Sequence, residues 1–109
     1  MAKEYLGNLE LMVLLALLRI PKHAYGVPIS REIAQQTGRE VAIGSVYAAL
    51  ERLERKGFVW STLGEPSPER GGRAKKYFEI TGAGVREVQD AQRMFTSLWR
   101  NLGPQGESA

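Results

Sequence analysis

The sequence GSVYAALERLERKGFV at residues 44–59, continued by WSTLGEPSPERGGRAKKYFEIT at residues 60–81, decides the fold of this chain. In the first segment, apolar residues recur at intervals of four and three, at Val46, Leu50 and Leu53. This spacing predicts an amphipathic helix from about Gly44 to Lys56. Gly57 follows a last turn rich in basic residues, which indicates that the helix ends there with a left-handed cap.

The second segment changes to a period of two. Its residues alternate between two faces from Phe58 to Leu63, and the alternation resumes from Tyr77 to Ile80, which predicts two antiparallel strands. The glycines and prolines between them exclude a regular element and predict a loop that projects into solvent. A helix closed by such a two-stranded wing indicates DNA reading.

Two further helices precede this segment. The first is NLELMVLLALLR at residues 8–19, with Asn8 as its N-cap and apolar side chains on nearly every face, so it must be covered on most sides. The second has Pro28 in its first turn and ends at Gly38. The extended residues 39–43 then complete a helix-turn-helix. The predicted fold class is α+β, mainly helical: a winged helix-turn-helix with a two-stranded β wing and a C-terminal helix.

That C-terminal helix is predicted from about Gly82 to Leu102. Its mostly apolar stripe consists of Val85, Val88, Ala91, Gln92, Phe95, Leu98, Trp99 and Leu102. We expect residues 1–81 to form the winged helix-turn-helix and residues 82–102 to form a dimerisation helix of the same compact unit. The polar tail at 103–109 is expected to be disordered.

The composition suits one domain, with 109 residues of which 43% are hydrophobic and 25% charged. The formal net charge is only +3, but four positive charges and no acidic residue lie within seven residues, at Arg70, Arg73, Lys75 and Lys76. The absence of cysteine excludes a disulfide framework and a cysteine-based zinc site, and it favours a cytoplasmic location. The apolar run in the first helix is too short to span a bilayer.

Three segments, in this order and spacing, resemble the PadR family of bacterial transcriptional regulators, in particular its small members with one C-terminal helix. They are AYG at 24–26, GSVYAALERLERKGFV at 44–59 and GGRAKKYFEITGAG at 71–84. The resemblance implies a winged helix-turn-helix that dimerises through its C-terminal helix, binds an inverted-repeat operator and usually represses. In several members of this family, DNA release follows binding of a small molecule, often a phenolic acid or a hydrophobic drug-like compound, and the resemblance implies such an effector here. The chain departs from similar sequences at Ala42 and Ile43, where they have a capping serine or asparagine, and in the EPSPE insertion of its wing loop.

Residues expected to contact DNA lie in three places. They are Ser30 and Arg31 in the second helix, Gly44, Ser45, Tyr47, Ala48 and Arg52 in the recognition helix, and Arg70, Arg73, Lys75 and Lys76 in the wing. Small side chains at the start of the recognition helix let its backbone lie deep in a major groove, while the wing cations would contact phosphates or, for Arg73, enter a minor groove. The alternative for the wing is an ordinary solvated surface that keeps the protein in solution.

The sequence is compatible with two interpretations of Tyr47. Its ring either packs half-buried between helices, or its hydroxyl group binds a DNA phosphate. Replacement by phenylalanine separates them, because only the second interpretation predicts a loss of operator affinity at nearly unchanged stability.

The stripe on the C-terminal helix also has two interpretations. It either folds back on its own domain or packs against the first helix of a second copy, and we favour the second copy because a helix of about 30 Å would overhang so small a domain. The expected dimer contacts are Leu11, Leu15, Val88, Gln92, Phe95, Trp99 and Leu102. Between two copies, the residues expected to line either a chamber for a planar hydrophobic ligand or a dry interface are Met12, Leu15, Met94, Phe95 and Trp99.

Enzymatic function is disfavoured by the residue types. His23 is the only histidine, and no metal or cofactor is expected. Gly82-Ala83-Gly84 lacks the third glycine and the surrounding unit of a dinucleotide-binding loop. The expected function is a homodimeric, sequence-specific DNA-binding regulator, a repressor on a pseudo-palindromic operator, released by a small hydrophobic or phenolic effector. The alternatives are a winged-helix protein-interaction module and a dimeric small-molecule-binding protein without a role on DNA.

Overall fold

The computed structural model describes residues 5–65 and 75–104. The elements in chain order are α1 (Asn8–Arg19), α2 (Gly26–Thr37), α3 (Ile43–Arg55), β1 (Val59–Leu63), β2 (Lys76–Ile80) and α4 (Gly82–Trp99). Strands β1 and β2 are antiparallel, with Val59 opposite Ile80 and Leu63 opposite Lys76. This mainly helical α+β architecture with a two-stranded wing confirms the predicted fold class.

The core lies where α1, α2 and α3 meet. Its fully buried large side chains are Val13, Leu14, Ile29, Val46, Leu50 and Leu53. The three positions that predicted the recognition helix are all among them, so the apolar face of α3 is the face that packs. On α1, by contrast, Leu15 and Leu18 stay exposed, so a single chain covers only part of this apolar helix.

Helix α1 begins differently from the prediction. Gly7 is the N-cap and Asn8 is the first helical residue, so the prediction that Asn8 caps the helix is wrong. The reason is that the Gly7 backbone N–H donates to Oε1 of Glu10 at 2.9 Å, which ties down the residue before Asn8. The buried carboxylate of the third helical residue, Glu10, therefore sets this helix start.

The other helix ends agree with the prediction to within a few residues. Gly38 and Gly57 have φ angles of 74° and 81°, in the left-handed region that favours glycine, and they follow α2 and α3 as predicted. The largest difference is in α4, which ends at Trp99 and not at Leu102. Asn101 has a φ of 59°, and the preceding apolar side chains are exposed, so nothing packs against another turn.

Two sets of hydrogen bonds fix the wing against the helices. At its end, the Thr81 hydroxyl accepts from the backbone N–H of Gly84 at 3.0 Å and donates to the carbonyl of Gly57 at 2.8 Å. In its middle, the Phe78 N–H donates to the Ala24 carbonyl at 2.9 Å. Strand β2 is thus bonded both to β1 and to the segment before α2, and the wing has a defined direction relative to α3.

Candidate nucleic-acid interface

The exposed face of α3 begins with small side chains. Gly44, Ser45 and Ala48 are all exposed, on the side of the helix opposite the buried Val46. Helix α3 starts after Ala42, which forms no side-chain cap hydrogen bond, while the Ala42 carbonyl accepts from the backbone N–H groups of both Ser45 and Val46. The start of the helix is therefore open to a partner that can approach its backbone closely.

Ser30 and Arg31 of α2 differ in their surroundings. The Ser30 hydroxyl donates to the carbonyl of Val41 at 2.8 Å, so it stabilises the turn between α2 and α3. Arg31 is exposed. A DNA contact by either residue stays a prediction, and for Ser30 the hydroxyl already has a partner within the protein.

Tyr47 packs between elements and is also accessible. Its hydroxyl oxygen accepts a hydrogen bond from the backbone N–H of Gly26 at 3.2 Å, and its ring lies 6.3 Å from that of Phe78. The residue nevertheless stays 37% exposed. The packing interpretation thus has direct contacts in the structure. The hydroxyl oxygen acts as an acceptor there, so its O–H group can still donate a hydrogen bond to a phosphate.

Arg52 lies at the other end of α3 and faces α1. Its Nε is 3.6 Å from Oε2 of Glu10, and Nζ of Lys56 is 2.9 Å from the same oxygen. Burial alone would raise the pKa of Glu10, but the hydrogen bonds from Gly7 and Lys56 and the charges of Lys56 and Arg52 lower the pKa below its ordinary value. The carboxylate is therefore charged and joins α1 to α3, and a DNA contact by Arg52 stays a prediction.

The base of the wing contains an aromatic cluster that the sequence analysis did not identify. The ring of Tyr77 lies 4.9 Å from that of His23 and 6.0 Å from that of Tyr25. Nζ of Lys75 lies 3.6 Å from the centroid of the Tyr25 ring, within cation–π range. Tyr77 is more than 50 positions from His23 and Tyr25 in the sequence, so no local pattern reveals the cluster, although Tyr25 belongs to the AYG segment.

The remaining wing cations divide into described and undescribed residues. Nζ of Lys76 lies 3.8 Å from Oε1 of Glu54 and so faces back toward α3. Arg70 and Arg73 lie outside the described residues. Of the four cations, Lys75 and Lys76 are thus placed at the wing base, where each already has a partner on the protein.

The residues predicted to form a dimer interface are largely uncovered. In α4 the sole buried residue is Gly84, whereas Val88 is half-buried against the core. Further along, Phe95, Trp99 and Leu102 are exposed, as is Gln92. On α1, Leu11 is half-buried and Leu15 is exposed.

The residues predicted to line a ligand chamber do not meet within one chain. Met12 and Leu15 line a cleft of about 300 Å³ between α1 and α2. Met94 and Phe95 line a separate cleft of about 270 Å³ between α4 and the start of α1. Trp99 lines neither cleft, so a shared chamber would need a second copy of the chain.

In the part of the chain that the structure describes, no group of histidine, aspartate and glutamate side chains is placed to hold a metal ion. Within residues 5–65 and 75–104, no helix is both long and apolar enough to cross a membrane.

Comparison with known families decides the relationship. Residues 14–90 match the model of the transcriptional regulator PadR-like family. The chain belongs to this family. It is also 35% identical, over 80 residues, to an uncharacterized protein from Lysinibacillus sphaericus; the match covers 72% of this chain and 69% of that protein.

Solved structures of PadR regulators share the fold. A PadR family regulator from Eggerthella lenta superposes with a TM-score of 0.69 at 23% identity, covering 90% of this chain and 83% of the other. A PadR family regulator from Clostridium difficile gives a TM-score of 0.68 at 23% identity, covering 84% and 91%. Membership of a family of transcriptional regulators confirms the resemblance found in the sequence and the prediction that the chain is not an enzyme.

Proposed function

We propose that this PadR-like regulator is a homodimer that binds a pseudo-palindromic operator in double-stranded DNA in the cytoplasm and represses transcription. The observation that carries the proposal is the exposed, small-residue start of α3 beside the wing. Residues 1–81 would form the DNA-binding part and residues 82–102 the dimerisation helix.

DNA binding is supported by the shape and charge of one face. At the start of α3, Gly44, Ser45 and Ala48 leave the backbone accessible, which suits insertion into a major groove. The same face carries few side chains able to read base edges, whereas the wing is rich in cations. Phosphate attraction by Lys75, together with Arg70 and Arg73, would therefore supply much of the affinity.

Dimerisation is supported by the uncovered surface of α4 and α1. The 18 residues of α4 extend about 27 Å, yet its second half leaves Leu98 67% and Trp99 62% exposed. Monomeric proteins rarely leave such a contiguous apolar surface in water. A two-fold pair would cover it and would place two copies of α3 about 34 Å apart, the spacing of successive major grooves.

A small hydrophobic or phenolic effector is supported by the composition of the same surface. A second copy that covers α1 and α4 would bring aromatic Phe95 and Trp99 toward adaptable Met12 and Met94, a set of side chains suited to planar ligands. Titration of Trp60→Phe protein with planar aromatic acids tests this, because the remaining indole is Trp99. A constant emission spectrum would favour the dry interface.

The test of the main proposal is a gel-shift and sedimentation series. Genomic fragments selected by the protein are compared with random duplex of equal length at several salt concentrations, and the oligomeric state is measured in parallel. A dimer that binds the selected fragments more tightly, with affinity falling steeply as salt rises, supports the proposal. A monomer that binds neither duplex at low salt would contradict the proposal and favour a protein-interaction module. A protein that binds a ligand with no competition from DNA would favour a small-molecule-binding protein.

A further inference from the structure

Gly26 and Tyr47 form a contact that no sequence pattern explains. Gly26 is the first residue of α2 and is buried, while Tyr47 lies in the second turn of α3. A Cβ atom added to Gly26 would lie 2.4 Å from Cε2 and 2.7 Å from Cζ of the Tyr47 ring. Gly26 is not among the glycines with positive φ, so its backbone angles do not require glycine. A glycine is needed because the Tyr47 ring of α3 lies against its backbone.

The same contact satisfies the start of α2. Helix starts leave backbone N–H groups without intrahelical partners, and a side chain of the N-cap residue usually supplies an acceptor. In α2 the N-cap is Tyr25, which makes no side-chain cap hydrogen bond. The acceptor is instead the Tyr47 hydroxyl oxygen, 3.2 Å from the Gly26 nitrogen, so a residue of α3 caps α2.

The wing joins the same arrangement. The Phe78 ring of β2 lies 6.3 Å from the Tyr47 ring, and the Phe78 N–H donates to the Ala24 carbonyl, two residues before Gly26. Tyr47 therefore contacts α2 through Gly26 and β2 through Phe78. Strand β2 is in turn hydrogen-bonded to the segment just before α2. The three parts that would face DNA converge on this one side chain.

We propose that Tyr47 is a positioning residue for DNA recognition, which holds the start of α2, the start of α3 and the wing in the relative placement that an operator requires. This inference rests on the proposed DNA-binding function. It differs from a phosphate contact in its consequences. Misplaced elements lose base-edge complementarity, whereas a lost phosphate contact weakens binding to every sequence alike.

The first experiment is a double-mutant cycle. Gly26→Ala is expected to lower affinity for the selected genomic fragment about tenfold, because its methyl group overlaps the Tyr47 ring. In a Tyr47→Ala background the ring is absent, so adding Gly26→Ala should lower the affinity for this fragment by less than about twofold. The same cycle is followed by urea unfolding. Equal losses from Gly26→Ala in the two backgrounds would overturn the inference.

The matched control is Gly82→Ala. Gly82 is also the first residue of a helix, but a Cβ there meets only Nη1 of Arg86, at the ordinary contact distance of 3.6 Å. This variant should bind both duplexes within about twofold of the unmodified protein. It separates the effect of the Tyr47 ring from the general effect of a methyl group at a helix start.

The second experiment tests the hydroxyl by comparing two duplexes. Tyr47→Phe removes the acceptor for Gly26 and keeps the ring, so affinity for the selected fragment should fall about fivefold. Affinity for random duplex should change less than about twofold, because phosphate attraction is retained. Equal losses on both duplexes, or no loss on either, would overturn the positioning role. Unmodified protein that binds neither duplex would remove the proposed function itself, and that failure appears before any variant is compared.

Discussion

Large apolar side chains occur both in the buried junction of α1, α2 and α3 and on the outer surface of α1 and α4, but their surroundings are opposite. Leu14, Leu50 and Leu53 have no exposed area, whereas Leu98 and Trp99 are more than half exposed. The first region is complete within a single chain. The apolar side chains of the second region are removed from water only if another molecule covers them. Folding and assembly therefore depend on different sets of apolar residues.

The largest effect on stability is expected in the buried junction of α1, α2 and α3. Leu53→Ala should lower the free energy of unfolding by about 2–5 kcal/mol, since it removes a fully buried side chain and leaves a cavity. Urea titration of the protein measures the change. Leu63→Ala is the control, because Leu63 on β1 is 72% exposed, and its effect should stay within about 0.5 kcal/mol. Similar losses from both variants would contradict the division into two regions.

Trp99→Arg tests the second region. An arginine would place an unpaired charge in an apolar interface, so we expect monomers in sedimentation and a loss of operator affinity of about a hundredfold, as the two half-sites bind separately. Unfolding of the single chain should change little, because Trp99 is exposed there. Trp60→Arg introduces the same residue on β1 and should leave the dimer intact. A surviving dimer with normal affinity in the Trp99 variant would remove α4 from the interface.

The sequence predicted the parts of the molecule that follow from local periodicity. Val46, Leu50 and Leu53 identified the face of α3 that packs, and Gly38 and Gly57 identified two helix ends. The contacts between distant residues were beyond its reach: the bond from Gly26 to Tyr47, the Tyr25–Tyr77 pair and the ion pairs of Glu10 join residues 21 to 52 positions apart. The misplaced N-cap at Asn8 has a different origin, because the hydrogen bond from Gly7 to Glu10 that sets the helix start joins residues only three positions apart.

The wing should show a smaller effect, on the salt dependence of binding. Arg73→Ala combined with Lys75→Ala should reduce the slope of log affinity against log salt by about two, near 0.9 for each lost phosphate contact. Affinity for all sequences should fall together, since these contacts carry little sequence information. Arg93→Ala with Arg100→Ala, which removes two exposed cations near the end of α4 and away from the wing, is the control for net charge. An unchanged slope in the wing variant would remove the wing from the interface.

Glu10 is the exception within the first region, since it is the buried charged residue of the described chain. Its folded pKa lies below the ordinary value of 4.5, so its ion pairs stabilise the protein above that pH, and the contribution is lost as pH falls through the folded pKa. Glu10→Gln should therefore cost about 1–2 kcal/mol at neutral pH, where Lys56 loses a charged partner, and less in acid.

Urea unfolding of both proteins from pH 7 to pH 3 measures this difference. Glu32→Gln is the matched control, because the hydrogen bond from Arg19 also lowers the pKa of Glu32, but that pair joins α1 to α2 and not to α3. Both carboxylates should make the unmodified protein less stable in acid. Only Glu10→Gln should also reduce affinity for the selected DNA fragment, because Glu10 ties the last turn of α3 to the helix that the second copy covers. If Glu10→Gln leaves the stability unchanged across this pH range, the ion pairs of Glu10 do not stabilise the fold. The core would then be held by its apolar contacts alone.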